Sequence, residues 1–333
     1  MRALVYQGPQ QITLEVCDLP ICTPDEVIIQ VEAVGICGSE LEGYLGHSSI
    51  RKPPLIMGHE FCGIVSSIGE HVLEVAIGDK VVVNPLLTCG RCDRCLMGKG
   101  NVCRKRSIVG IHRPGAFAQF VAVPSANVYK VPPEMDSGLA SLAEPLAVAI
   151  HSIKLGIKPL DDLLIFGAGP IGLLTLQAAR QMGAGKVMIV ELQQARLQHV
   201  QRLGAEVASP DELEARIKVV FPQGVNTIID CVGVQATREQ ALRLINPGGS
   251  IIMVGLGQDK TLLDVNHLVR QEVSFIGSYT YAPLDFQQAI QLLLQGAIDV
   301  EGWTESRDLA EGPTAFQQLV EGKTKASKIF LKL

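Results

Sequence analysis

Four cysteines spaced C-x2-C-x2-C-x7-C lie within fifteen residues of this chain, in the segment CGRCDRCLMGKGNVC. Zinc(II) prefers four ligands in a tetrahedral arrangement, and the thiolates of Cys89, Cys92, Cys95 and Cys103 could supply all four. A shell closed by four thiolates leaves no position for water or substrate, so we predict a structural zinc site. A redox pair, four free thiols and an iron–sulfur cluster are the alternatives, although the usual iron–sulfur spacings differ.

A second motif, GAGPIG, follows the apolar run LLIF and opens a segment with helical periodicity. In this context Gly167 allows a tight turn, and Gly169 allows the backbone to approach a pyrophosphate. Gly172 allows the helix and the strand to pack closely. The free N–H groups of the helix N-terminus attract phosphate. The motif therefore predicts a dinucleotide-binding loop.

An acidic residue, Glu191, stands at the end of the next predicted strand, KVMIV. A carboxylate at this point accepts hydrogen bonds from a ribose diol and repels a 2′-phosphate. Two glutamines follow it, where an NADP-binding protein would benefit from basic residues. The pattern favours NAD over NADP. The alternative is a surface acid at a strand end.

The hydrophobic pattern divides the chain into two domains, as its length of 333 residues suggests. Short alternating runs such as VIIQVEAVG and FAQFVAVP predict a mostly β domain over residues 1–145. Alternating strands and helices over 146–281 predict a doubly wound parallel sheet. The terminal strand KIFLKL needs a sheet to join, so we expect 282–333 to return to the first domain.

Composition excludes several classes of partner. The net charge is −5 and no block of like charges occurs, so neither nucleic acid nor a membrane surface is an expected partner. Nine cysteines are too few for a disulfide scaffold. The N-terminal segment does not have the pattern of a secretory signal. We expect a soluble, cytoplasmic protein.

Further segments, in order, are GICGSE, GHEFCGIV, GAFAQFVAVP and EPLAVAIH. Together with the cysteine loop and GAGPIG, they resemble the zinc-containing medium-chain dehydrogenases over nearly the whole chain. The residues EPL at 144–146 resemble the form of this segment in the polyol branch of that family. The resemblance implies an α/β protein with a GroES-like, mostly β catalytic domain and a Rossmann domain. It also implies one catalytic zinc, one structural zinc, NAD, and a homodimer or homotetramer.

The resemblance assigns catalytic roles by position. Cys37 and His59 match ligands of the catalytic zinc, and the third protein ligand is Glu60 or Glu144. Ser39 matches the hydroxyl that begins the family's proton relay. Together these residues imply an alcohol dehydrogenase, in which zinc acidifies a hydroxyl group while a hydride passes to the nicotinamide.

One residue departs from the family pattern. Many relatives carry a histidine three residues past the relay hydroxyl, and Glu42 stands there in this chain. Glu42 could release the proton to solvent, His47 could take over, or water alone could carry it. The alternative is that Glu42 is a solvated acid at the start of a helix.

Additional cofactor contacts carry over by position. Pro170 and Ile171 lie within the glycine motif, with Ile171 expected beneath the pyrophosphate, and Arg196 is expected against the adenine. The remaining contacts follow predicted strands: Cys231, Val232, Gly233, Val254, Gly255, Leu256, Ser278 and Tyr279.

The leading hypothesis is therefore an NAD- and zinc-dependent dehydrogenase of polyols or secondary alcohols. A neighbouring hypothesis is a sugar-alcohol-phosphate dehydrogenase, in which Arg51, Lys52 or Arg113 holds the phosphate; solvated basic side chains are the alternative for these three. A third hypothesis is a cofactor-binding relative without turnover. The presence of a complete set of catalytic zinc ligands argues against that third hypothesis.

Overall fold

The computed structural model describes residues 1–333, which fall into two compact units. The first unit contains Met1–Glu144, Ala282–Leu293 and Val300–Leu333, and the second contains Pro145–Tyr281 and Leu294–Asp299. The domain bounds expected from the sequence, 1–145 with 282–333 and 146–281, stay a prediction.

The first part of the chain forms ten strands and three short helices. They are β1 (Arg2–Gly8), β2 (Gln11–Val16), β3 (Glu26–Gly35), α1 (Gly38–Tyr44), β4 (Leu55–Ile56), β5 (Glu60–Ile68), β6 (Lys80–Val83), β7 (Leu86–Leu87), α2 (Asp93–Leu96), β8 (Ser107–Ile108), β9 (Phe120–Pro124), β10 (Val128–Lys130) and α3 (Ser137–Ser141).

Strands and helices then alternate until near the C-terminus. They are α4 (Ala143–Lys154), β11 (Leu163–Phe166), α5 (Pro170–Gln181), β12 (Val187–Val190), α6 (Gln194–Arg202), β13 (Glu206–Ala208), α7 (Leu213–Val220), β14 (Val225–Asp230), α8 (Gln235–Leu244), β15 (Ile245–Met253), α9 (Val265–Arg270), β16 (Ser274–Gly277), α10 (Pro283–Leu294), β17 (Thr304–Asp308), α11 (Gly312–Val320) and β18 (Lys328–Lys332). No helix among them is long and apolar enough to cross a membrane.

A seven-stranded sheet organises the first unit, with the order β10-β6-β5-β3-β18-β17 and with β9 also paired to β3. Strands β3 and β5 are antiparallel, and Gly35 at the end of β3 lies opposite Glu60 at the start of β5. The terminal strand β18 pairs antiparallel with β3 on its other side, with Phe330 opposite Gly35. This register brings three distant parts of the chain together at one end of β3.

Aromatic rings pack beneath helix α1 in the core of the first unit. The Phe316 ring of α11 is fully buried and lies 5.5 Å from the Tyr44 ring and 5.7 Å from the Phe117 ring, measured between centroids. The contact with Phe117 is edge-to-face, a favourable arrangement for aromatic quadrupoles. These contacts fix α11 against the helix that follows Cys37.

The second unit is built on six parallel strands in the order β13-β12-β11-β14-β15-β16. Strands β11 and β12, LLIF and VMIV, are buried at every position. Strands covered on both faces by helices have this continuous apolar pattern. The order of the strands is that of the Rossmann fold, as the alternation of strands and helices predicted.

We expect Phe316→Ala to destabilise the first unit, because it leaves a cavity between Tyr44 and Phe117. The typical cost of a buried Phe→Ala substitution is about 3–5 kcal/mol. Thermal and urea unfolding would measure it. The control is Leu73→Ala, since Leu73 is 88% exposed in the same unit. Equal effects of the two substitutions would contradict this account of the core.

Candidate functional site

The end of β3 and the start of β5 bring three potential metal ligands together. The Cys37 thiol, a His59 ring nitrogen and a Glu60 carboxylate oxygen all lie within 4.8 Å of one another. The antiparallel register explains this, because Gly35 pairs with Glu60 and the chain runs on to Cys37. His59 and Glu60 are buried, and Cys37 is partly exposed.

The chemistry of this group fits a zinc ion. Sulfur, imidazole nitrogen and carboxylate oxygen are the three donor types that zinc takes in proteins. Catalytic zinc sites have three protein ligands and keep one position open for water or substrate. The arrangement of Cys37, His59 and Glu60 is therefore suited to an open, catalytic site.

A buried acid, Glu40, holds the ligands in place. One carboxylate oxygen accepts a hydrogen bond from the Gly58 backbone N–H at 2.8 Å and lies 2.8 Å from His59 Nδ1. The other oxygen accepts from the Cys37 N–H at 3.0 Å. With Nδ1 engaged by Glu40, Nε2 of His59 is the nitrogen left for a metal.

Sequence reasoning missed Glu40, although a signal was available. Glu40 is the third residue of α1 and makes a capping box with Cys37 at the N-cap. Serine or threonine followed three residues later by glutamate is the usual form of that motif, and cysteine replaces the hydroxyl residue here.

The pKa values of this acid and its partner move in opposite directions. Burial by itself raises the pKa of Glu40, but the nearby His59 and Arg51 charges and the hydrogen bonds outweigh it and lower the value. Burial lowers the pKa of His59, but Glu40 and Cys37 outweigh it and raise the value well above the usual range. Both directions reflect mutual attraction in a site with little water.

The Glu60 side chain has a second partner, Lys328 of the terminal strand. Lys328 is 1% exposed, and its ammonium group donates to the Glu60 carboxylate and, at 3.0 Å, to the Ile36 carbonyl. Gly35 makes room for this pair, because a Cβ there would lie 2.5 Å from Glu60 Oε2. Sequence reasoning missed Lys328, and no local signal marks it.

The other predicted catalytic residues occupy different places. Glu144 is buried in the first turn of α4 and is outside the group of three ligands. The Ser39 hydroxyl lies 3.4 Å from Cys37 Sγ and accepts a hydrogen bond from Arg51 Nη2 at 3.0 Å. Ser39 thus lies beside the candidate metal site.

Glu42 and His47 form a pair at the surface. His47 Nδ1 lies 2.9 Å from the Glu42 carboxylate, and the side chains are 64% and 52% exposed, respectively. Ser39 makes no direct hydrogen bond to Glu42. A proton passing from Ser39 to this pair would need a bridging group.

The four cysteines of the loop also converge. The thiols of Cys89, Cys92, Cys95 and Cys103 all lie within 4.8 Å of one another, and individual sulfur–sulfur distances run from 3.5 to 4.0 Å. Four sulfurs at this spacing fit the corners of a tetrahedral thiolate site.

Backbone N–H groups in and beside the loop lower the pKa of one of these thiols, Cys92. Backbone N–H groups of Cys95 and Arg104 are the main reason that the pKa of Cys92 falls to about 6. Arg104 also holds Asp93 through two hydrogen bonds of 2.8 and 3.0 Å, which tie helix α2 to the end of the loop. Cys95 differs, because burial and the other three thiols raise its pKa to about 11.

The glycine loop of the second unit has the features that a phosphate site needs. Gly167 has φ +95°, a conformation that favours glycine. A Cβ at Gly172 would lie within 1.9 Å of the Gly167 carbonyl oxygen, so that position tolerates only glycine. A Cβ at Gly169 would meet nothing within 4 Å, so the backbone there faces open space. Pro170 and Ile171 begin helix α5.

Glu191 lies against this loop. One carboxylate oxygen accepts from the Ala168 N–H at 2.9 Å, and the other accepts from the N–H groups of Leu192 and Gln193 at 2.8 and 3.0 Å. Arg196 Nη1 is 3.8 Å away. The carboxylate is thereby fixed at the strand end, 9% exposed.

The remaining predicted cofactor contacts lie at the ends of neighbouring parallel strands. Residues 231–233 follow β14, residues 254–256 follow β15, and residues 278–279 follow β16. The first two segments touch through their backbones, because a Cβ at Gly233 would lie 2.0 Å from the Gly255 carbonyl oxygen. Carboxyl ends of parallel strands lie on one edge of the sheet, where such folds bind dinucleotides.

A surface groove of about 860 Å³ in the first unit lies apart from this chemistry. Lys52, His112 and Arg113 contribute to its lining, together with residues of β1, β2 and β4. None of the candidate metal ligands lines it, so we assign the groove no role in catalysis.

A parallel sheet of the dinucleotide-binding type and a candidate three-ligand metal site are the parts that a metal-dependent oxidoreductase needs. Residues 23–133 match the alcohol dehydrogenase GroES-like domain, and residues 170–295 match the zinc-binding dehydrogenase family. The chain belongs to the zinc-containing medium-chain dehydrogenases, in the polyol branch. The predicted family, fold class and enzyme class are confirmed.

Two curated relatives illustrate the branch. The chain is 30% identical to sorbitol dehydrogenase of Bacillus subtilis (strain 168), over 99% of this chain and 97% of that protein. It is 33% identical to D-arabitol-phosphate dehydrogenase of Enterococcus avium, over 97% of this chain and 95% of that one.

Two solved structures share the whole fold. A zinc-binding dehydrogenase from Sinorhizobium meliloti 1021, bound to NADP, is 30% identical with a TM-score of 0.92, covering 100% of this chain and 99% of its own. An alcohol dehydrogenase from Escherichia coli CFT073, complexed with NADH, is 26% identical with a TM-score of 0.93 at the same coverage.

We expect Glu40→Gln to weaken zinc binding at the three-ligand site by about 10- to 100-fold, the usual effect of losing a partner that orients a ligand. Competition with a chromophoric chelator would measure this. Glu42→Gln is the matched control, because it removes the same charge from an exposed position of the same helix. Equal zinc affinity in the two variants would refute the role given to Glu40.

Proposed function

We propose that this protein transfers a hydride between a polyol or secondary alcohol and NAD, at a zinc site formed by residues of its first unit. The observation that supports this most directly is the convergence of Cys37, His59 and Glu60, held by the buried Glu40. A group of sulfur, nitrogen and oxygen donors with an open position suits catalysis on an alcohol.

Zinc, when bound, supplies a Lewis acid that makes an alcohol hydroxyl easier to deprotonate. Cys37 and His59 would hold it, together with Glu60 or Glu144. Glu60 is the carboxylate within the ligand group, and it is paired with Lys328. Glu144 is the alternative that the family pattern keeps open.

The proton of the alcohol needs a route away from the site. Ser39 is suited to receive it, because its hydroxyl lies 3.4 Å from the Cys37 thiol. The exposed Glu42–His47 pair is suited to pass a proton to solvent. Since Ser39 and Glu42 are not hydrogen-bonded, a ribose hydroxyl or a water would have to connect them.

The hydride acceptor in this proposal is NAD. The glycine loop 167–172 would hold the pyrophosphate, and the fixed carboxylate of Glu191 would accept from a ribose diol and repel a 2′-phosphate. The strand-end segments 231–233, 254–256 and 278–279 would lie along the nicotinamide side. Arg196 would contact the adenine.

The cysteine loop has a different role in this proposal. Its four thiols would close the coordination shell of a structural zinc, which leaves no place for substrate. Bound metal would then stabilise residues 89–103 and not take part in the reaction.

We further propose a homodimer or homotetramer in the cytoplasm. Strand β16 is an edge of the parallel sheet, and Val265 and Val269 of the preceding helix are 61% and 65% exposed. Exposed edges and apolar side chains of this kind are common at subunit contacts. None of the nine cysteines forms a disulfide, as is usual in a reducing compartment. Sedimentation analysis would distinguish the two assemblies.

A substrate screen tests the function. With zinc-loaded protein, we expect NADH formation from polyols or secondary alcohols, and kcat/KM with NAD at least about tenfold above that with NADP. Zinc confined to the cysteine loop together with no turnover of any alcohol would exclude the dehydrogenase function. Turnover with NADP in place of NAD would refute the role of Glu191 alone.

Two cysteine variants test the division between the metal sites. We expect Cys37→Ala to abolish turnover while the melting temperature stays close to that of the parent. We expect Cys95→Ala to lower the melting temperature first, because the loop loses its metal. Zinc content, activity and thermal unfolding should be measured on both. The same loss of fold in both variants would contradict the assignment.

A further inference from the structure

Arg51 is a buried cation without a carboxylate partner. Arg51 is 6% exposed. Its Nη2 donates to the Ser39 hydroxyl, and it forms no ion pair with a carboxylate. Its Nε is buried and has no hydrogen-bond partner. Buried charges in proteins are normally paired, because the loss of hydration is costly. Since Nε packs against Gly43, an anion that balanced this charge would have to meet the outer guanidinium nitrogens.

The buried acid Glu40 does not fill this role. The Arg51 charge contributes to the low pKa of Glu40, so the two groups attract each other. However, the Glu40 oxygens are already engaged by His59, Gly58 and Cys37. The attraction acts at a distance longer than that of an ion pair.

The fold directs the Arg51 guanidinium toward the reaction site. The side chain crosses helix α1 at Gly43, where a Cβ would lie 2.5 Å from Arg51 Cδ. Its Nη2 then donates to Ser39 Oγ at 3.0 Å, and Ser39 Oγ lies 3.4 Å from Cys37 Sγ. Two consecutive contacts thus connect the guanidinium to a candidate metal ligand.

The two other basic residues considered for a phosphate are placed differently. Arg113 Nη2 forms an ion pair of 2.6 Å with Glu26 and donates to the Ala122 carbonyl, so its charge is already matched. Lys52 is exposed. Both line the surface groove, which Arg51 does not. Of the three, only Arg51 is buried, unpaired and next to the candidate metal site.

We propose that Arg51 binds an anionic substituent of the substrate, so that the preferred substrate is a polyol that carries a phosphate or carboxylate group close to the reacting hydroxyl. The inference rests on the dehydrogenase function proposed above and names its substrate class. A guanidinium group can pair with two oxygens of either anion in a planar, bidentate arrangement. Since Arg51 connects to Cys37 through Ser39 by two contacts of 3.0 and 3.4 Å, we expect the anion and the reacting hydroxyl to lie on nearby carbons.

Three substrates of equal chain length test the proposal: a neutral polyol, its terminal phosphate, and the corresponding aldonate. Initial rates would be measured on zinc-loaded wild type, Arg51→Met, Arg51→Lys and Lys52→Met. We expect wild type to prefer one of the anions, and Arg51→Met to reduce the anion-to-neutral ratio of kcat/KM by about 10- to 100-fold. The preferred anion identifies the substituent.

The other variants serve as controls. Arg51→Lys keeps the positive charge but loses the planar guanidinium group, so we expect an intermediate anion-to-neutral ratio of kcat/KM. Lys52→Met removes the same charge from the adjacent exposed residue and should leave the ratio unchanged. Zinc content and circular dichroism would establish that each variant is folded and loaded.

Several outcomes would overturn the proposal. Wild-type preference for the neutral polyol would do so. Equal losses of kcat/KM on all three substrates would show that Arg51 only supports Ser39. A rise in the KM for NAD common to all substrates would show that Arg51 serves a cofactor phosphate.

Titration calorimetry separates this proposal from the dehydrogenase function. The phosphorylated polyol and the aldonate would each be titrated into zinc-loaded wild type and Arg51→Met. Binding of either anion that the substitution abolishes supports the proposal even if no alcohol is oxidised. Equal binding of both anions to the two proteins overturns it, whatever the activity.

Discussion

The buried carboxylate of Glu40 is the constraint on which the candidate site depends. It joins the segment at Cys37 to the segment at Gly58 and His59 through three short contacts. A charged group without water must have its hydrogen bonds satisfied, so the two segments cannot separate without a large cost in free energy. The same contacts orient the imidazole. A single acid therefore constrains both the local fold and the positions of the candidate ligands.

Strand β3 also connects the candidate site to the C-terminal strand. It lies between β5, which begins at Glu60, and β18, which begins at Lys328. The Lys328–Glu60 pair is buried, and burial tends to lower the pKa of the lysine, yet the charges of Glu60 and Cys37 outweigh burial and raise it. Buried ion pairs are weak contributors to stability. Clusters of perturbed ionisable groups are, however, frequent at functional sites, and this cluster surrounds the candidate ligands.

Cysteine side chains contribute to two candidate zinc sites with different roles. Four converging thiols would close the coordination shell of a structural zinc, whereas one thiol with a histidine and a carboxylate would leave a position open for chemistry. The cysteine loop and the group of Cys37, His59 and Glu60 belong to the same unit, but their ligands are brought together in different ways. Residues 89–103 are local in sequence, while the open site depends on strand register.

The sequence by itself determined the features that depend on short-range patterns: the four-cysteine loop, the glycine turn before α5, the alternation that builds the parallel sheet, and the family. The tertiary structure decided which side chains meet. Glu40 and Lys328 were missed, and Arg51 was one of three equal candidates until its burial beside Ser39 distinguished it. The physical reason is distance along the chain. Lys328 donates to a carbonyl 292 residues away, and only the pairing of β18 with β3 brings them together.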